Sequence, residues 1–235
     1  MVRQVRAAQT RHALLIAAAG EFDRNGYAGT SLARVCKSAG VTMGALTFHF
    51  PTKGELADAV RAEGDSATQS ALWRVAAMPG PGLQSLVDLT LELARLLDSD
   101  VTVRAAARLA QERRDPVESG HSAWVPILRS LLARMAGEAG TGSDLEDVEL
   151  LITYLMAGAE ACVRTGVAEG SVEEHLGRLW TLLASTGLPG AFGESRRVPA
   201  GSPGRQPSAR APQASARTPQ ASVRAAKPSV RAAIT

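Results

Sequence analysis

From about residue 9 to residue 187 the apolar residues recur at helical spacing, and nowhere do they alternate between turn signals as a strand requires. That regularity restricts the chain to an all-α fold. Nine helices are expected, over about 9–25, 31–38, 43–48, 53–78, 83–98, 101–114, 122–139, 144–165 and 172–186. In the first, Leu15, Ala18, Ala19 and Phe22 form one stripe, and Gly26 is placed to end it. In the second, Leu32, Val35, Cys36 and Ala39 follow the i, i+3, i+4, i+7 pattern. Thr52-x-x-Glu55, Ser143-x-x-Glu146 and Ser171-x-x-Glu174 each spell a capping box, in which hydroxyl and carboxylate satisfy orphan N–H groups reciprocally. Pro79-Gly80-Pro81-Gly82, Asp115-Pro116 and Gly140-Thr141-Gly142 supply breaks between helices.

Charge divides the chain into three parts. Residues 1–54 carry seven Lys/Arg against two acids, residues 55–187 eleven against twenty, and residues 188–235 eight against one. The net +3 is therefore a basic head, an acidic body and a basic tail. A head of that sign on a body of the other suggests that the head alone meets a polyanion. The tail is dominated by Ala, Pro, Ser, Arg, Gln and Gly, with a Ser-Ala/Val-Arg recurrence every seven residues from Ser208 to Arg231. Such a composition buries too little surface to offset its ordering entropy, so a disordered tail is expected, either drifting or adding nonspecific affinity for DNA. The expected division is a basic, polyanion-binding head at 1–52, an acidic body at 53–187, and the tail at 188–235.

No apolar run approaches the roughly 20 residues that a membrane-spanning helix needs, and the opening residues lack the apolar core of a secretory signal. The two cysteines, Cys36 and Cys162, each fall within an apolar helical pattern, as free thiols do in a reducing compartment. No membrane partner and a cytoplasmic location are expected.

The informative stretch is Thr30 to Phe50, which reads as helix, tight turn, helix. Ala39 lets two helices cross closely, Gly40 can take the positive φ that ends the second helix, and Thr42 can cap the third. The third helix would then expose Thr42, Met43, Gly44 and Thr47 and turn Ala45, Leu46 and Phe48 inward. A short helix with a small, uncharged face fits the major groove. Lys53 opens the fourth helix, where a cation and free N–H groups suit a phosphate.

This arrangement resembles the DNA-binding domain of the tetracycline-repressor (TetR) family. The resemblance runs from Arg11 to Lys53: a first helix ending Phe22-Asp23-x-x-Gly26-Tyr27, then Thr30, the Ala39-Gly40-Val41-Thr42-x-Gly44 turn, Phe48-His49-Phe50 and Lys53. It implies a nine-helix TetR-type fold, with DNA contacts from Thr30, Ser31, Thr42, Met43, Gly44, Thr47, His49 and Lys53. The family's usual phosphate-contacting Tyr in the third helix is replaced by Thr47. Val2-Arg3-Gln4-x-Arg6-Ala7-x-Gln9-Thr10-Arg11 and Gly44-Ala45-Leu46-x-Phe48-His49-Phe50 further resemble the γ-butyrolactone autoregulator receptors and pseudo-receptors of actinomycetes. Ala123-Trp124 followed by Leu131-Leu132 fits those receptors' ligand-stacking tryptophan. Trp124 would then line a cavity for a small apolar ligand, joined by Trp73, Met78, Leu155, Met156 and Ala159.

By the same resemblance the partners are a double-stranded, near-palindromic operator and a second copy of the chain. That copy would dock through helices eight and nine, using the small run Ala157-Gly158-Ala159 and Leu176, Leu179, Trp180 and Leu183. The ligand would be a γ-butyrolactone, an antibiotic or an intermediate, and the regulated genes those of secondary metabolism. The four histidines sit on separate elements without ligand spacing, and no phosphate loop or nucleophile elbow occurs, so no catalytic residue, metal or cofactor is expected. A multidrug-efflux regulator of the same fold, and a helical enzyme or plain interaction bundle, are the alternatives.

Overall fold

The computed structural model describes residues 2–113, 123–139, 144–167 and 169–185. These residues form nine helices and no strand: α1 Val2–Gly29, α2 Leu32–Ala39, α3 Met43–His49, α4 Lys53–Ala76, α5 Gly82–Ser99, α6 Val101–Glu112, α7 Val125–Ala139, α8 Asp144–Thr165 and α9 Val172–Ser185. The proposed tail, the Asp115-Pro116 and Gly140-Thr141-Gly142 breaks and the Ser143 cap lie outside the described residues.

The helix ends follow local chemistry. Ser31 caps α2 by accepting the Arg34 N–H, Thr42 caps α3 by accepting the Ala45 N–H at 3.2 Å, and Thr52 caps α4 by accepting the Glu55 N–H at 3.1 Å. Ser171 accepts the Glu174 N–H at 3.1 Å in the same way. Gly40 stops α2 in the left-handed region, φ 67° and ψ 30°, where its N–H reaches the carbonyls of Cys36 and Lys37. The first helix departs from expectation. It begins at Val2, seven residues before the expected start at 9, because residues 4–9 are mostly exposed and leave no apolar periodicity to read. Gly26 breaks its geometry as expected, with φ 69° and ψ 179°, yet one further turn follows to Gly29.

Two apolar clusters hold the fold together. One gathers Leu14, Leu15, Ala18, Ala19 and Phe22 of α1 with Val35, Cys36, Leu46 and Phe50. It also takes in Leu56, Ala57 and Val60 of α4 and Ala105 and Leu109 of α6. The basic head therefore shares its core with the first turns of α4 and with α6. The other cluster fills the body between α4, α5, α7, α8 and α9, around Leu72, Leu86, Leu89, Leu93, Trp124, Leu128, Ile152, Met156 and Trp180. Trp180 closes it by donating its indole N–H to the Thr90 hydroxyl at 2.8 Å, tying α9 to α5.

The two clusters meet where α4 crosses α6. Gly64 lies at that crossing, and a Cβ on it would come within 2.6 Å of the Ala106 Cβ and closer still to the Thr102 carbonyl oxygen.

Candidate nucleic-acid interface and ligand cavity

The reading head is built from three short-range devices and one buried acid. Glu21, buried in α1, accepts from Arg24 at 2.9 Å and from the Asn25 amide at 3.1 Å. Arg34 of α2 reaches the same carboxylate at 3.2 Å, so one charge fixes α2 against α1. Sequence patterning missed this residue; an acid beside Phe22 on the inward stripe was its only signal.

Thr30, expected at the DNA face, is only 3% exposed, and its hydroxyl donates to the Gly26 and Glu21 carbonyls at 2.8 and 3.0 Å. Its side chain therefore anchors the entry to α2 and does not reach outward. Ser31 beside it is exposed. Thr42, Met43, Gly44 and Thr47 form the exposed side of α3, as expected. Phe48 does not turn inward: it is 79% exposed, while Leu46 and Phe50 fill the core. Two residues along a helix is about 200° of rotation, so burying Leu46 puts Phe48 on the opposite face. Phe50, just past the helix end, takes the inward place, with the Arg11 guanidinium 5.1 Å from its ring centroid.

His49 is half-buried, edge-on to Phe48 at 5.1 Å. The Lys53 ammonium donates to the Thr30 carbonyl at 2.8 Å and lies 4.4 Å from the Tyr27 ring centroid, which places its charge at the mouth of α2 and α4 together. Its remaining N–H donors are available to an anion.

Four side chains of α6 and its C-terminal cap bind the head to the body. Arg104 donates to Asp23 at 3.0 Å and to the Leu97 and Asp98 carbonyls at 3.0 and 3.2 Å. Arg108 donates to the Asp23 carbonyl at 2.6 Å and to Glu112 at 2.7 Å. Glu112 accepts the Tyr27 N–H at 2.6 Å, beneath the Gly26 bend, where a Cβ would strike its carboxylate. Arg113 pairs with Asp58 at 2.5 Å and stacks over Tyr27 at 4.8 Å. Sequence reading found none of these pairs.

Burial pushes the Glu112 carboxyl up, but the Arg108 hydrogen bond, the Tyr27 N–H and the Arg108 charge outweigh it and hold the carboxyl below the usual carboxylate range. A carboxyl depressed in the folded state stabilises the fold above its unfolded pKa, and loses that contribution as pH falls through its folded value. Glu112→Gln is therefore expected to cost about 1–3 kcal/mol near neutral pH. The gap to the parent protein should narrow as pH drops below about 4. Thermal melts across that range check the sign; a gap that widens on acidification contradicts it.

In the body, Asp65 and Thr68 of α4, Leu93 and Leu97 of α5, Ala106 and Ala110 of α6, Trp124 just before α7 and Glu160 of α8 line a cavity of about 20 Å³. That is room for about one water molecule, so a larger ligand must part these helices. Trp124 is 5% exposed, and its indole N–H has no hydrogen-bond partner among the described residues. A buried donor left unpaired costs about 1–3 kcal/mol, which an acceptor on a ligand would recover. Burial pushes the Asp65 carboxyl up, opposed by Arg61 at 3.6 Å. Glu160 accepts from Gln111 at 2.6 Å. A neighbouring cavity shares Leu97, Ala107 and Glu160 with this one and is lined also by Asp23, Arg104 and Arg108. The ligand-side walls thus adjoin the ion pairs that hold the head.

Of the other residues expected at the cavity, Met156 and Ala159 are buried in the cluster that contains Trp124, and Leu155 packs against it. Trp73 and Met78 are not brought there: they are 50% and 51% exposed. On the last turns of α4, Leu72 and Ala76 face inward, and Trp73 lies about 100° away from Leu72. On α8, Ile152, Met156 and Ala159 face the core, so Ala159 does not join the expected docking run, while Leu150, Tyr154, Ala157 and Gly158 lie outside. On α9, Leu176 and Trp180 are buried, and Leu179 and Leu182 are exposed.

An all-helical body carrying a capped helix-turn-helix on a basic head defines a DNA-binding regulator. The family model "Bacterial regulatory proteins, tetR family" matches residues 14–60. Over 112 residues the chain is 37% identical to the A-factor receptor protein of Streptomyces griseus, a match that spans 48% of this chain and 38% of that relative's length. Among solved structures it is similar to CprB, a TetR family protein of S. coelicolor A3(2), at 30% identity and a TM-score of 0.64, covering 77% of this chain and 89% of that one. CprB in complex with its biological operator sequence gives 28% and 0.63, over 81% and 99%. A γ-butyrolactone receptor described as ArpA-like gives 29% and 0.63, over 77% and 88%. The chain belongs to the TetR family.

Proposed function

We propose that the chain is a cytoplasmic transcriptional repressor that binds a near-palindromic operator as a dimer and is released by a small ligand entering beside Trp124. The observation that carries this reading is the presentation of α3: its exposed face is held outward by Leu46 and Phe50, in a stretch (residues 1–54) with a charge of +5. The division into a head at 1–52 and a body at 53–187 belongs to the same proposal, with α6 as the shared strut. Ser31, Thr42, Met43, Gly44, Thr47, His49 and Lys53 are the proposed DNA-facing residues, with Thr30 positioning α2. The dimer would form by packing the outward faces of α8 and α9 on their copies, as a four-helix bundle. Regulated genes of secondary metabolism are proposed from the receptors that the chain is similar to.

Release follows from the placement of α6. A ligand that parts α4, α6 and α8 around Trp124 displaces the helix whose arginines grip Asp23 and whose Glu112 grips the Tyr27 backbone. A difference of about 1–3 kcal/mol in ligand affinity between the on-DNA and off-DNA arrangements is enough for control. The Trp124 indole N–H favours a ligand that carries a hydrogen-bond acceptor, which a γ-butyrolactone, an antibiotic or an intermediate can each supply. A multidrug-efflux regulator would have a broader, more aromatic cavity; a cavity of about 20 Å³ with Trp124 as its aromatic wall supports the more selective reading.

Selection from random duplexes tests the proposal. One near-palindromic site should emerge, bound with an affinity that falls steeply with salt. Lactones, antibiotics and culture extract are then added to the complex. An active compound should release the parent protein, and Trp124→Phe should keep DNA binding and lose release. Equal, weak binding to every duplex would end the repressor reading.

A further inference from the structure

The outward face of α3 offers a base edge almost no hydrogen bonds. The Thr47 hydroxyl is turned back to its own helix, toward the Met43 and Gly44 carbonyls at 3.1 and 3.3 Å. The Thr42 oxygen is held by the Ala45 N–H. Gly44 has no side chain, and a Cβ there would meet nothing within 4 Å. What stands out from the helix is apolar: Met43 on the first turn and Phe48 on the second, the most exposed aromatic side chain among the described residues. Gly44 and Phe48 are one turn apart, about 40° from one another around the axis. Phe48 and Gly44 therefore share one face, on which the space beside Gly44 is open and the Phe48 ring stands edge-on to His49. Phe48 has no polar head, so it cannot replace the phosphate-binding hydroxyl that a tyrosine would bring.

A ring this exposed on a basic head requires a partner that is apolar locally and anionic overall. The major groove of DNA meets that description at one group, the C5-methyl of thymine. We infer that Phe48, with Met43 beside it, selects the operator by apolar contact with thymine methyl groups, so that each half-site carries thymine where α3 lies. The inference rests on the operator-binding reading above. It makes Phe48 a specificity-determining residue, and the lack of a tyrosine at Thr47 then leaves the groove face to methyl recognition.

The test uses the full chain and the best-bound duplex from the random selection. Each thymine in turn is replaced by deoxyuridine, which removes one methyl and keeps the base pairing. At least one position in each half-site should lose roughly fourfold in affinity, the fold-change equivalent of one carbon returned to water. Phe48→Ala should bind thymine and deoxyuridine duplexes equally, and Phe48→Leu should keep part of the discrimination. Because Phe48 lies outside the core, both variants should melt with the parent protein. If no deoxyuridine changes binding while the selected duplex still outcompetes a scrambled one, the inference falls and the operator reading stands. Discrimination that survives in Phe48→Ala overturns the assignment to this ring. A chain with no preferred duplex removes the operator reading and the inference together.

Discussion

Gly64→Ala is expected to destabilise the protein by about 1–3 kcal/mol, although the same change at an open helical site adds stability. The sign is reversed by the crossing of α4 and α6. A single methyl at position 64 would overlap the Thr102 carbonyl and come within 2.6 Å of the Ala106 Cβ. One of these is backbone and the other the first atom of a short side chain, so neither can move aside without moving α6. The displaced helix is the one that carries Arg104, Arg108 and Glu112 to the head. The melting temperature should therefore fall by about 2–4 °C for each kcal/mol lost, as for other chains of this size. Operator affinity should fall with it, because the grip on Asp23 and Tyr27 loosens. A variant more stable than the parent would mean that the two helices do not meet at Gly64.

Gly158→Arg has the larger expected effect on function and almost none on folding. Gly158 is exposed, with nothing within 4 Å of a Cβ placed on it, and helix propensity favours the new residue. It lies on a face with Leu150, half exposed, and Tyr154, 69% exposed, and Leu179 and Leu182 of α9 are exposed as well. An exposed apolar stripe of this kind, continued by small residues that allow close approach, suits a second copy of the same helices. An arginine in its centre would leave a charge buried against an apolar partner. Light scattering should then report a monomer. Operator affinity should drop by about 100-fold or more, because the second head no longer binds at the high effective concentration that linkage supplies. A dimer that persists with parental affinity would place the interface elsewhere.

What could be read in the sequence was local. Ser31, Thr42, Thr52 and Ser171 act within three residues of themselves, and Gly40 ends a helix by its own conformation, so the helix ends were legible. The start of α1 was not, because an exposed helical turn has no apolar periodicity. Phe48 and Phe50 show the limit of pattern in a short helix. Either could have filled the core, and the deciding fact is that Leu46 lies at 0% exposure on the inward side. Trp73 failed for the same reason, a rotation of one residue around α4, and Met78 lies past the end of that helix. Thr30 was placed outside by resemblance, and its hydroxyl is bonded inside. The pairs that join head and body, Arg104 with Asp23 and Glu112 with the Tyr27 N–H, link residues 81 and 85 positions apart. No periodicity connects such residues; only the crossing of α1 with α6 does.

The central claim is that two heads, each presenting α3, seat together on one duplex. Hydroxyl-radical footprinting of the full chain on its selected duplex measures this directly. Two protected patches centred about 10 base pairs or a multiple apart, symmetric about the site and lost together in Gly158→Arg, are the result expected. A single patch per molecule, or protection spread evenly along every duplex at physiological salt, would contradict it.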